Sequence, residues 1–197
     1  MIDACARCGR MDQVPKIRED MKKYGIQPNV ITYSTILKGH CQMGEIQKAF
    51  AMMEQMKKDA HLKPDEIMYN SLLDGCAQNN MVEEGLQLLE VMQKEGVNPS
   101  NFTLSILVKM MSRAHKVDAA FSLVQDLSKK YRFRPNVHVY NNLIQACIAN
   151  RSPDRAKGVM ETMVKERVRP DNRTYTICQR AQLSTELLDQ DQTRRRY

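Results

Sequence analysis

With 197 residues, 42% of them apolar, eight Gly, seven Pro and no Trp, the chain is apolar enough to fold, and long enough for one ordinary domain or a short array of small units. Its 30 Lys and Arg against 23 Asp and Glu give a formal charge of +7, of which four Arg against three acids from Ile177 onward account for +1; a basic excess of this kind favours nucleic acid but also occurs on ordinary proteins. No apolar run approaches the roughly 18 residues of a membrane span, and the first ten residues read as helix interior rather than as a secretory leader.

Pro28, Pro64, Pro99, Pro135 and Pro170 recur at intervals of 36, 35, 36 and 35 residues, and a fixed period of this size marks a repeat array. After each Pro stands Asn29, Asp65, Ser100, Asn136 or Asp171, and four residues further Tyr33, Tyr69, Leu104, Tyr140 or Tyr175. In chain order, residues 1–29 form a partial first repeat, because MIDACARCG aligns with the later LLDGCAQNN and places Met1 inside a first helix. In residues 30–65, Tyr33, Ile36, Leu37, His40 and Cys41 lie at helical spacing. A turn around Gly44 follows, and Ile46, Ala49, Phe50, Met53 and Met56 form a second helical stripe.

Residues 66–100 repeat that stripe as Val82, Gly85, Leu86, Leu89 and Met92, with Asn80 and Glu83 at capping-box spacing. Residues 101–136 repeat it as Val117, Ala120, Phe121, Val124 and Leu127. That unit departs from the others: Leu104 replaces Tyr, the Gly before the turn is missing, and Met110 stands where the others carry Gly39, Gly75 or Ala146, so looser packing is expected. Residues 137–171 place Ser152 and Pro153 as N-cap and first residue of a second helix. Residues 172–197 open a further first helix and run into a polar, basic tail.

Proline cannot continue a helix, so each unit closes at its Pro. A lone helix pair buries too little surface to stand by itself; stacked pairs share a core, which predicts an all-α fold, an α-solenoid of antiparallel helix pairs with about 35 residues per repeat and one continuous domain. Neither end carries a polar cap repeat, so the chain reads as part of a longer array. Met21, Met56, Met92 and Met163 share one second-helix position and read as packing residues. Cys5, Cys76 and Cys147 also share one position, with Cys41 one residue off. They read as small hydrophobes, and CARC at Cys5–Cys8 has no second CxxC or His pair to complete a metal site.

The runs PNVITYSTILKGHCQMGEIQKAFAMMEQMKK, PDEIMYNSLLDGCAQNNMVEEGLQLLEVMQKEGVNP and PNVHVYNNLIQACIANRSPDRAKGVMETMVKERVRPD closely resemble the pentatricopeptide repeat family. The likeness extends from Met1 to about Cys178, and the near-uniform lengths are similar to the plain P-type. Tetratricopeptide repeats have a similar period but want a Trp in the first helix. The resemblance implies a right-handed superhelix that binds single-stranded RNA, one base per repeat, and serves organellar RNA stabilisation, processing or translation. It further implies residence in a mitochondrion or plastid (otherwise the cytoplasm), protein partners in organellar RNA metabolism, no membrane, no cofactor and no metal.

By the same resemblance, the residue after the Tyr and the residue after the closing Pro read a base together. The pairs are Ser34 with Asp65, Asn70 with Ser100, Ser105 with Asn136, and Asn141 with Asp171, which suggests the word 5′-GCAU-3′ within a longer site. The residue three before the first reader would stack on the base: Ile31, Ile67, Phe102 and His138. Phosphates would meet the end of the first helix, where only Arg7 and Arg113 are basic and Gln42, Gln78 and Ala149 are not.

Other readings stand beside these. Asn29, Asp65, Ser100, Asn136 and Asp171 are residue types that cap a helix, whereas Ser34, Asn70, Ser105, Asn141 and Thr176 are mediocre helix formers that local structure does not explain. Ile31 and Ile67 also suit burial between units. Lys22-Lys23, Lys57-Lys58, Lys129-Lys130 and Lys165-Arg167-Arg169 read as a solvated edge at second-helix ends, where cations suit the helix dipole. The alternative function is a protein–protein scaffold of the tetratricopeptide kind, which exposed acidic or aromatic first-helix residues would favour. No enzyme is legible: His40, His61, His115 and His138 are scattered through separate repeats, and no nucleophile or phosphate-loop motif is present.

Overall fold

A computed structural model describes residues 1–59 and 62–185. The readings that touch His61 and the basic tail beyond residue 185 lie outside the described residues. Among those described, the regular structure is all helical. Two compact units divide the chain between Asn98 and Pro99. The first holds three helix pairs: α1 (Ile2–Arg7) with α2 (Val14–Lys23), α3 (Val30–Gln42) with α4 (Ile46–Asp59), and α5 (Glu66–Gln78) with α6 (Val82–Lys94). A 3-10 turn at Met11–Gln13 leads into α2. The second holds α7 (Asn101–Arg113) with α8 (Val117–Lys130), α9 (Val137–Ala149) with α10 (Pro153–Lys165), and then α11 (Asn172–Arg180).

Within the first unit, α3 packs on α1, α5 and its own α4, while α5 packs on α6. Within the second, α9 packs on α7, α11 and its own α10, while α7 packs on α8. Successive first helices therefore lie side by side in each unit, and each also covers the apolar stripe of its second helix. The expected stripes are the ones buried. Tyr33, Ile36, Leu37 and Cys41 are buried on α3, and Ile46, Ala49, Met53 and Met56 on α4, with Phe50 half-buried. Met56, Met92 and Met163 are fully enclosed, while Met21 at the same repeat position is only half-buried.

The small residue late in each first helix has a steric cause. A Cβ on Gly75 would lie 2.7 Å from Ile46 Cδ1 and 3.2 Å from Cys41 Sγ, and one on Gly39 would lie 2.5 Å from Met11 Sδ. Met110, expected to loosen its unit, is instead buried, and so is Leu104 in place of the Tyr. An unbranched thioether adapts to irregular space, which lets Met110 fill the interior.

The turns need one residue in the left-handed region. Gly9 and Gly44 supply it in the first two pairs, at φ of 68° and 73°, and Asn80, His115 and Arg151 take it in the next three at φ of 56°, 57° and 56°. Asn80 is thus a residue of the turn, and the expected capping box with Glu83 does not form: the N-cap of α6 is Met81, which makes no side-chain cap bond. Asn tolerates the left-handed conformation better than most side chains, and here that use wins. Ser152 is the N-cap of α10 as expected, with Pro153 next, but its hydroxyl donates to the Asn150 carbonyl oxygen rather than capping the helix.

The repeated cysteines also belong to these turns. The carbonyls of Cys5, Cys76 and Cys147 accept the backbone N–H five residues on, from Arg10, Met81 and Ser152, which closes the helix end. Burial pushes the Cys41 thiol up to about 12 and the Cys76 thiol up to about 11, the behaviour of packing residues rather than of nucleophiles.

Candidate nucleic-acid interface

Five first helices open in the same way. Asn29, Asp65, Ser100, Asn136 and Asp171 each hold extended backbone, and each accepts a hydrogen bond at its side-chain oxygen from a backbone N–H of the first turn. Three of them form reciprocal capping boxes with Thr32, Thr103 and Thr174 at the third helical position. The capping reading is therefore correct for every one of these positions. Thr in place of the usual Glu or Gln hid the boxes from the sequence, although its recurrence at one offset was there to be seen.

The second expected reader in each repeat lies one turn further in. Ser34 is half-buried and donates to the Ile31 carbonyl oxygen at 3.1 Å. Asn70, Ser105 and Asn141 are buried. Asn70 Nδ2 donates to Glu66 Oε1 at 3.1 Å. Asn141 Nδ2 donates to Asp171 Oδ1 at 2.9 Å, so one expected reading pair is in direct contact, and Asn141 Oδ1 accepts from Thr174 Oγ1 at 2.8 Å. Burial pushes the Asp171 carboxyl up, but the hydrogen bonds from Thr174 and Asn141, with the charge of His138, outweigh it and hold it below the usual carboxylate range. Asn142 Nδ2 reaches the Ser105 backbone carbonyl at 3.3 Å.

The residue three before each of these is exposed. Ile31 is 73% exposed, Ile67 68% and Phe102 65%, and His138 is exposed as well. This overturns burial between units as the role of the two isoleucines. Apolar side chains left in water at one repeated position ask for a partner, since burying them is what would stabilise them.

The basic residues are less concentrated. Arg7 pairs with Asp3 at 2.8 Å, and Arg113 is exposed in the last turn of α7. Lys22-Lys23, Lys57-Lys58 and Lys129-Lys130 occupy the last turns of α2, α4 and α8, as does Lys165 in α10. Lys57 departs from the solvated edge. It is half-buried, donates to Glu95 Oε1 at 2.6 Å and pairs with Glu54 at 3.4 Å, while Tyr69 Oη donates to Glu95 Oε2 at 2.6 Å. Lys57 comes from one repeat and Tyr69 and Glu95 from the next, so their meeting needed the tertiary structure to be seen.

Burial pushes the Glu95 carboxyl up, but the hydrogen bonds from Lys57 and Tyr69 and the Lys57 charge outweigh it and leave it below its ordinary value. A carboxylate with a depressed native pKa contributes stability above the unfolded value of about 4.3, and that contribution is lost as pH falls through the native value. Glu95→Gln is therefore expected to flatten the acid side of the stability profile. Urea midpoints between pH 6 and pH 3 check this; equal acid sensitivity in variant and wild type would refute the assignment.

A family model described as PPR repeat family matches residues 1–42, 64–113 and 135–181, and a second, described as PPR repeat, matches 31–60. The chain belongs to the pentatricopeptide repeat family. It is 26% identical over 179 residues to a pentatricopeptide repeat-containing protein of Arabidopsis thaliana, covering 90% of this chain and 25% of that one. It is 25% identical to the mitochondrial 15S rRNA processing factor CCM1 of Yarrowia lipolytica, covering 84% of this chain and 22% of the relative. The chain thus spans about a quarter of these relatives' length. Among solved structures, the pentatricopeptide repeat protein PPR10 in complex with an 18-nt psaJ RNA element is similar at a TM-score of 0.78 and 26% identity, covering 95% of this chain and 27% of that one. The PPR domain of Arabidopsis thaliana protein-only RNase P 1 in complex with tRNA shares the fold at a TM-score of 0.67 and 14% identity.

Proposed function

We propose that this chain binds single-stranded RNA and reads it one base per repeat, as part of a protein of organellar RNA metabolism. The observation that carries the reading is the exposure of Ile31, Ile67, Phe102 and His138 at one position of four first helices, each three residues before a small polar side chain. An apolar or aromatic face in water is a platform for a base, and an amide, hydroxyl or carboxylate one turn away supplies the hydrogen bonds that tell bases apart. The similarity to PPR10, whose structure holds an RNA element, and to CCM1, a mitochondrial rRNA processing factor, supports this reading and its organellar setting in a mitochondrion or plastid.

Recognition uses Ser34 with Asp65, Asn70 with Ser100, Ser105 with Asn136, and Asn141 with Asp171, and the word is 5′-GCAU-3′. The caps do not compete with this role, because a carboxylate, amide or hydroxyl that accepts from the backbone, even from two N–H groups as Asn136 does, keeps further hydrogen-bonding capacity. Asn141 and Asp171 hold each other without RNA, so reading a base there means exchanging an internal hydrogen bond for one to the base. Arg7 and Arg113 add weak phosphate contacts, and the chain itself performs no catalysis. A four-base word recurs by chance about every 250 nucleotides, so transcript choice requires further repeats or partners.

Fluorescence anisotropy tests this with a labelled RNA carrying a central GCAU, a scrambled RNA and the same word as duplex, at two salt concentrations. The single-stranded match is expected to bind best, and Asn141→Ser to lose about 1–3 kcal/mol of discrimination at the fourth base. Binding that ignores sequence and collapses with salt would leave only a basic surface. No binding to any RNA, with an acidic or apolar peptide bound instead, would favour the scaffold.

A further inference from the structure

Asn70 and Asn141 occupy the same repeat position and are both buried, yet their amides are wired differently. The Asn141 amide is engaged at both ends, by Asp171 Oδ1 and by Thr174 Oγ1. The Asn70 amide is held at one end only: Nδ2 donates to Glu66 Oε1 at 3.1 Å, while Oδ1 is buried and has no hydrogen-bond partner. The side chain is 3% exposed, so water does not readily make up the difference.

The orientation follows from elementary chemistry. A carboxylate can only accept, so the group of the Asn70 amide that faces Glu66 must be its NH2. The carbonyl is then the end left over. Glu66 is peculiar to this repeat: the matching residues are Val30, Asn101, Val137 and Asn172, none of them acidic. Its place in the first turn of α5 also suits a negative charge at a helix N-terminus, so the carboxylate is in a favourable position to remain there.

We propose that Glu66 is a positioning residue that fixes Asn70 as a hydrogen-bond acceptor, so that the repeat spanning residues 66–100 takes a base presenting an N–H donor and rejects one that presents only acceptors. The inference rests on the RNA reading above and deepens it at one repeat. A buried carbonyl without a partner is costly, and a ligand N–H that reaches it recovers that cost; a ligand acceptor placed against it is repelled. Cytosine, the base expected there, offers its exocyclic N4 amino group as such a donor. Without Glu66 the amide is free to turn over and present Nδ2 to a ring acceptor instead, and the demand for a donor disappears.

The experiment compares two RNAs identical except at this base, one with cytosine and one with 2-pyrimidinone, which keeps the ring nitrogen and carbonyl acceptors but lacks the amino donor. Wild-type protein is expected to prefer cytosine by about tenfold, the scale of one buried unsatisfied polar group. Glu66→Val, which installs the residue found at Val30 and Val137, is expected to bring the ratio close to one, with cytosine RNA still bound. A merely structural role would weaken both RNAs alike and leave the ratio untouched, which would overturn the proposal.

A ratio near one in the wild type would overturn it as well. NMR of the Asn70 side-chain NH2 in the wild-type protein gives a readout without RNA or mutation. Slow hydrogen exchange of that group, as expected for a buried donor to Glu66, supports the wiring, and fast exchange refutes it. If neither RNA binds while exchange is slow, the RNA reading fails and the specificity claim with it, but the Glu66–Asn70 wiring survives. If both RNAs bind equally, only the inference fails.

Discussion

Truncation of Met92 to Ala is expected to destabilise the protein by about 2–5 kcal/mol, the range for deleting a large buried side chain. Met92 is fully enclosed on α6, so its truncation leaves a cavity wherever the surrounding side chains do not collapse into it. The same change at Met21 removes the same atoms from the same repeat position, but Met21 is half-buried. Its loss is expected at about 1 kcal/mol or less, because the exposed part of the side chain gains little from folding. Urea denaturation of the two variants checks the pair. Equal costs would mean that the shared repeat position, rather than burial, sets the energy.

Phe102→Ala is expected to do the opposite: to spare stability and to remove affinity. Phe102 stands in the first turn of α7 with most of its ring in water, so its deletion should move stability by no more than about 0.5 kcal/mol. Against RNA, loss of an aromatic platform is expected to cost about 1–3 kcal/mol, which is roughly a 5- to 150-fold rise in Kd. Leu104→Ala, two residues further along the same turn, provides the contrast. Leu104 is fully buried, and its truncation should cost about 2–5 kcal/mol of stability. Anisotropy and urea midpoints measured on both variants separate the two roles. A stability loss at Phe102 as large as that at Leu104 would show the ring to be a packing residue and remove it from the interface. Ile67→Ala should follow Phe102 with a smaller loss of affinity, since an aliphatic side chain offers contact area without a π-face.

The sequence by itself determined the period, the helix pairs and the starts of the first helices. That information is local or strictly repeated: Pro ends a helix wherever it falls, Asn, Asp and Ser cap the turn that follows them, and a stripe at helical spacing needs an apolar neighbour. Gly75 was likewise legible as a close approach, from the small residues repeated at that position.

Burial and pairing between repeats were not legible. Ile31 and Ile67 fit an internal seam and a surface platform equally well on a helical wheel, and only the placement of neighbouring helices decided for exposure. Asn80 has the spacing of a cap but takes the left-handed turn instead, because the path from α5 to α6 requires that conformation there. Lys57 stands among lysines that look alike in sequence, yet it alone among the described ones meets both Glu95 and Glu54. Glu66 and Asn70 carry no motif that links them; a carboxylate one turn below an amide acquires meaning only when the surrounding helices exclude water from the amide, as they do from Asn70 beside the half-buried Glu66. Local propensity fixes where a helix begins, but which of its faces is dry depends on its own second helix and on the first helices packed beside it, and that is where tertiary structure set the chemistry of the site.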